Sequence, residues 1–341
     1  MKLNRILFLM LFFVLFISCQ KEENEIVQDT NETTITKASP LTGLLERVSQ
    51  NPTSDDNVLD NTSCFTVSLP VTVIVNGQQI TVSTETDYQL VQDAIDAFTN
   101  DDDIVNFIYP ITITFQNFGN LTISNSSQLD DVIDNCDEDD GFDEIDCITI
   151  NYPIALNVYN ANNQLAETIV LSSDVQLFNF LQNLDNNEYL SIQYPISIVN
   201  SNNQTIVINN NDQLEDAIED AIDDCGINSG GSGSADFTTI LTNGSWYVSY
   251  YFHGQDETYL YTSYTFTFNT NGTVLAQGNQ TVNGTWLKYT NGGDDYLELD
   301  FDGGTLSDLD DDWELIEFNE NQIRLKDGSG SSTDYLYFSK N

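Results

Sequence analysis

Leu69-Pro70-Val71-Thr72-Val73-Ile74-Val75-Asn76-Gly77-Gln78-Gln79-Ile80-Thr81-Val82 carries two runs with apolar residues at every second position, divided by Asn-Gly. A period of two places alternate side chains on opposite faces of a strand, and Asn-Gly supplies the positive φ angles of a tight turn, so the stretch reads as a β-hairpin. Similar stretches start at Tyr109-Pro110-Ile111, Tyr152-Pro153-Ile154 and Tyr194-Pro195-Ile196. This internal repeat sets the expected architecture.

Each hairpin leads to a segment marked by the same dipeptide, Gln89-Leu90, Gln128-Leu129, Gln176-Leu177 and Gln213-Leu214. There the apolar spacing changes from two to 3.6. Leu129, Val132, Ile133 and Cys136 share one helical face, as do Leu214, Ala217, Ile218, Ala221, Ile222 and Cys225. Each unit therefore reads as ββα.

The cysteines group the units in pairs. Cys64 and Cys147 stand ahead of the first and third prolines, while Cys136 and Cys225 close the second and fourth helices. Four cysteines allow three connectivities, and the repeat symmetry selects Cys64–Cys136 and Cys147–Cys225. Each bond would close a loop of about seventy residues, worth ~4 kcal/mol in the chain-entropy model. The expected fold class is thus α+β repeat modules, two ββαββα units of antiparallel sheet and helix, over residues 61–141 and 142–226.

A Gly/Ser-rich linker at 227–235 separates these modules from an aromatic-rich segment, 236–341, with about eight short alternating stretches. Such spacing suggests a closed up-and-down barrel. Asn243-Gly244-Ser245-Trp246, the repeated Asn283-Gly284-Thr285-Trp286 and the final Leu336-Tyr337-Phe338-Ser339-Lys340 resemble small lipocalin-like domains of Bacteroidota lipoproteins. That resemblance implies an all-β lipocalin-like barrel in which the opening Trp246 packs under an arginine from a late strand, here Arg324, and closes one end. A closed eight-stranded barrel can hold a small apolar ligand, with Trp246, Tyr264, Phe266, Trp286 and Trp313 as candidate lining residues, or its interior can be a filled aromatic core with no cavity. The repeated units resemble no family of known function.

At the other end, Lys2 and Arg5 precede an apolar run from Ile6 to Ile17, then Ser18-Cys19. As a helix that run would cover only ~18 Å at ~1.5 Å per residue, short of the ~30 Å hydrocarbon core, so 1–18 reads as a signal peptide. Leu15-Phe16-Ile17-Ser18-Cys19 resembles a lipoprotein signal, which implies lipidation of Cys19, although Phe16 replaces the usual Leu. Gln20-Lys21-Glu22-Glu23-Asn24-Glu25 resembles the export tag of Bacteroidota surface lipoproteins. It implies an outer-membrane address facing the cell exterior, with the membrane as partner through the anchor. Residues 19–60 are expected to form a lipidated tether, ending in a short capped helix at Ser39-Pro40 with Leu41, Leu44, Leu45 and Val48 on its apolar face.

The chain carries 54 acidic and 9 basic residues, a formal charge of −45, and one histidine. Nucleic acid is excluded as a partner, because neutralising phosphates needs Lys and Arg. No Lys or Arg stands between Arg47 and Lys288, so that stretch holds no Lys or Arg ion pair of its own. His253 alone provides neither a zinc cluster nor a convincing nucleophile–base pair, and no phosphate-binding loop is present.

The acidic runs at 101–103, 137–144 and 308–312 offer oxygen ligands of the kind Ca²⁺ takes, but EF-hand spacing fails, since it would put Cys136 and Cys147 at ligand positions. The expectation is a non-catalytic, cofactor-free surface protein that binds a small apolar ligand or an extracellular protein, with the barrel distal to the anchor. The alternative is an adhesive or structural protein assisted by weakly bound Ca²⁺.

Overall fold

The computed structural model describes residues 34–97, 104–136, 142, 144–162, 164–224, 236–328 and 333–341. The signal, Cys19, the export tag, Cys225 and the Gly/Ser linker lie outside them.

The chain begins with helix α1 (Pro40–Val48) and the single turn α2 (Asn57–Asp60). The first repeat contains β1 (Phe65–Val67), β2 (Val71–Val75), β3 (Gln78–Val82) and α3 (Tyr88–Asp96). The second contains β4 (Val105–Phe107), β5 (Ile111–Phe115), β6 (Asn120–Ile123) and α4 (Ser126–Cys136). The third contains β7 (Thr149–Ile150), β8 (Ile154–Tyr159), β9 (Leu165–Leu171) and α5 (Asp174–Gln182). The fourth contains β10 (Tyr189–Ile192), β11 (Ile196–Val199), β12 (Thr205–Ile208) and α6 (Asn211–Asp224).

The unit is therefore βββα where ββα was expected. Each repeated proline lies between two strands, after a cis peptide bond, at Pro70, Pro110, Pro153 and Pro195. The short strand ahead of each proline pairs with the hairpin of the neighbouring unit. β1 joins β5, β4 joins β2, β7 joins β11, and β10 joins β8, all antiparallel. This exchange builds two three-stranded sheets per module and explains why units occur in pairs, since one unit alone would lack a strand of its sheet.

Local chemistry accounts for the dipeptide signals. Gln128, Gln176 and Gln213 each stand near the start of a helix and accept, through Oε1, the backbone N–H four residues back, at 2.9, 2.8 and 2.9 Å. These side chains occupy donors that the helix start leaves free, as in a capping box. The following Leu129, Leu177 and Leu214 are buried. In the first unit a 3₁₀ turn, Glu85–Asp87, precedes α3, and Asp87 accepts from the Ser83 N–H four residues back, so the cap stands two residues ahead of Gln89. Val91 is buried there and Leu90 is 51 % exposed, contrary to the repeat. Tyr152 and Tyr194 donate to Asp174 and Asn211, both at 2.8 Å, tying the residue before each cis-proline to the start of the next helix.

Helix α1 forms as expected, with Leu41, Leu44, Leu45 and Val48 buried against α5 and α6. Ser39 does not cap it through its side chain: its hydroxyl turns back to the Thr36 carbonyl at 2.9 Å. Ile35 pairs with Leu190 of β10, so the chain is part of the second module from that point, within the span expected to be tether.

After helix α7 (Phe237–Leu241), eight strands close into an antiparallel barrel in sequential order. They are β13 (Trp246–Phe252), β14 (Thr265–Phe268), β15 (Thr273–Gln277), β16 (Thr281–Asn291), β17 (Asp294–Phe301), β18 (Asp311–Phe318), β19 (Gln322–Asp327) and β20 (Asp334–Lys340). Between β13 and β14, Thr258–Leu260 forms a 3₁₀ turn. Gly284 answers a steric need, because a Cβ there would lie 2.5 Å from the Asp300 carbonyl oxygen and 2.8 Å from the Phe301 ring. Among the described residues no helix is long and apolar enough to cross a membrane.

Candidate functional site: the seam between barrel and second module

The inward positions of the barrel carry side chains large enough to fill it. Phe266 meets Phe301 and Phe338 edge to face at 5.9 and 5.4 Å, and Phe268 meets Phe338 and Trp286 at 5.7 and 6.3 Å. Tyr251 links Tyr261 and Trp313. Helix α7 adds Phe237, Ile240 and Leu241 to the same core.

Of the five residues expected to line a ligand cavity, Trp246, Phe266, Trp286 and Trp313 are buried in this packing, and Tyr264 lies half-buried against Phe266. Each tryptophan N–H donates to a nearby backbone carbonyl: Trp246 to Leu241, Trp286 to Asn269 and Trp313 to Leu309. Satisfied indoles in edge-to-face contact are structural. The expected lining is corrected on that ground, and these residues act as core.

The Trp246–Arg324 pair is corrected as well. Lys340 lies over the Trp246 ring, 5.3 Å from its centroid, and is its register partner across β13 and β20. Arg324 points the other way. Its neighbours Ile323 and Leu325 fill the barrel, so alternation sends Arg324 and Lys326 to the outer wall.

Two cross-strand rows result. In one, Glu317, Arg324, Tyr337 and Tyr250 stand side by side on β18, β19, β20 and β13, and in the other Glu314, Lys326, Tyr335 and Phe252 do the same. Register shifts at Ile316 and Ser249 bring Glu317 and Tyr250 into the rows, as bulges re-aim side chains.

These rows face the rest of the protein. Glu317, 0 % exposed, accepts from Arg47 of α1 at 2.8 Å through both oxygens and from Arg324 at 2.8 Å. Phe142 lies against both guanidinium groups, 5.2 Å from Arg47 and 4.4 Å from Arg324. Lys326 pairs with Glu219 of α6 at 2.8 Å and with Glu314 at 3.3 Å. The cation-free stretch thus receives its ion pair from the barrel. Glu215, one helical turn before Glu219, accepts a hydrogen bond from Tyr335. The barrel is not a free domain at the end of a linker, nor is it distal to α1.

Burial dominates the electrostatics. It raises Glu215 to about 8, helped by Glu219, and raises Glu219 to about 7 against the opposing pull of Lys326. In the first module burial raises Asp56 to about 6, and burial with the Asp56 charge raises Asp60 to about 8.

Beside these acids the rows leave a cavity of about 100 Å³. Tyr250, Phe252 and Tyr335 form its barrel wall, and Asp212 and Glu215 of α6 with Leu41 of α1 stand among the residues on the other side. Oε1 of Glu215 is buried and has no hydrogen-bond partner.

The other candidates are placed as follows. His253 is exposed and bonds Asp334 at 2.7 Å, which raises its pKa. Glu144, from the acidic run at 137–144, is buried and accepts from Thr53 and Gln116. Among the described residues no three His, Cys, Asp or Glu side chains converge as metal ligands. Comparison with family models, curated proteins and solved structures finds no match to this chain.

Two outcomes follow from the seam. Arg47→Met leaves Glu317 buried with one cation fewer, and is expected to destabilise the chain by about 3 kcal/mol, measured as a shift in the urea midpoint. Asp56, Asp60, Glu215 and Glu219 all bind protons more tightly folded than unfolded. Between about pH 4 and 8 the native state therefore holds more protons, and stability falls as pH rises. The melting temperature at pH 5 is expected to exceed that at pH 9, and a flat or rising profile would contradict these buried acids.

Proposed function

We propose that this is a non-catalytic, lipid-anchored outer-membrane protein exposed at the cell exterior, whose binding site is the cleft at the seam and not the barrel interior. One observation carries the choice of site: aromatic side chains occupy the barrel core, while the outer wall leaves a cavity against the second module. The lipocalin-like motifs then describe how the barrel is built rather than what it carries. Support for the address comes from the signal-like start, Cys19 and the acidic tag, all in the sequence. Multiple acylation would suffice for stable anchoring, since one acyl chain alone binds reversibly.

We also infer the bonds Cys64–Cys136 and Cys147–Cys225. Cys64 and Cys147 are both disulfide-bonded, and the side chains of Cys136 and Cys225 lie outside the described ones. Cys147 Sγ lies 3.4 Å from the Ala221 carbonyl oxygen, and Ala221 precedes Cys225 by four residues. Cys64 packs in the core shared by β1, β5 and α4.

Two measurements test this reading. Cys19→Ser is expected to move the protein from the membrane fraction to the soluble fraction, and protease added to intact cells is expected to degrade the unmutated chain. Retention of the variant in membranes, or complete protection, would refute the address. Peptide mapping without reduction should recover the two named cystine pairs, and any of the other connectivities would refute the pairing.

A further inference from the structure

The cleft described above has the chemistry of a cation site. Three aromatic rings form one wall, and the negative face of such rings attracts a cation. The opposite side presents Asp212 and Glu215, and among the described residues no Lys, Arg or His lines the cavity. An anion would meet two carboxyl groups with nothing to offset them. A purely apolar group would leave Glu215 Oε1 buried and without a partner, at a desolvation cost. The volume suits a group of only a few heavy atoms, since one water takes ~30 Å³ of liquid.

We propose that the seam cleft binds a small organic ammonium group, with Glu215 as its counter-ion and Tyr250, Phe252 and Tyr335 as its aromatic wall. This rests on the seam being the binding site and adds the class of ligand. The group can arrive on a free quaternary ammonium compound or as the ε-ammonium of a lysine side chain.

Binding is coupled to a proton. Glu215 faces Tyr335 and Tyr250 from the barrel and Asp212, Asp216 and Glu219 along α6, with Lys326 held by Glu219. Burial, with the charge of Glu219 beside it, raises its carboxyl to about 8, so below that pH it must release a proton to pair with the cation. Affinity therefore rises from pH 6 to pH 9.

The test is isothermal titration of the whole chain in mild detergent with choline, with N-acetyl-lysine methylamide, and with 3,3-dimethylbutan-1-ol, the neutral isostere of choline. At least one ammonium probe is expected to bind, at least tenfold more tightly than the neutral isostere. Glu215→Gln and Phe252→Leu are each expected to weaken it tenfold or more, with circular dichroism confirming that both variants are folded. Which of the two ammonium probes binds separates a free ligand from a lysine on a partner. Equal binding of the isostere would overturn the ammonium assignment and leave the seam as binding site. Absence of binding by all three would overturn both.

Discussion

Glu317 is a carboxylate shut off from water and held between two guanidinium groups, one from the last turn of the first helix and one from the penultimate strand. Neither Arg47 nor Arg324 could be withdrawn without leaving a buried charge short of its partner, and such losses cost about 3–5 kcal/mol. This contact fixes α1 to β18 and β19, and with α1 it fixes the helices α5 and α6 that pack on it. Lys326, Tyr335 and Tyr337 extend the same wall, so one cluster decides where the barrel stands and where the cleft opens.

Much of the architecture was legible in local chemistry. Barrel strands showed through period-two alternation, and three helix starts through glutamines that do cap. What escaped depended on partners far away in the chain. Nothing near Pro70 or Pro153 says that the strand before it crosses to a neighbouring unit, because that pairing exists only once both units have formed. The parity of Arg324 was hidden too. A late-strand arginine near an opening tryptophan suggests stacking, yet Ile323 and Leu325 take the inside positions and send the arginine out. Glu215 and Glu219 fall off the apolar face that Leu214, Ile218 and Ile222 mark on α6, and contact with the barrel buries them.

The charge imbalance gains a physical account from the same features. Six cations fall among the described residues, and three of them, Arg47, Arg324 and Lys326, stand at one seam. Several carboxyls elsewhere, Asp56 and Asp60 among them, are raised above the usual carboxylate range by burial. Concentrating scarce cations on one contact gives that contact a strength that scattered surface pairs would lack.

The bridge between Ile35 and Leu190 has a mechanical meaning. A pull on the chain ahead of Thr34 reaches β10 first and α1 next, and both belong to the second module, with the barrel locked to α1 through Arg47. Tension therefore passes into the second module and the barrel together. The first module is inserted in the chain between α1 and the third unit, and so lies outside that path.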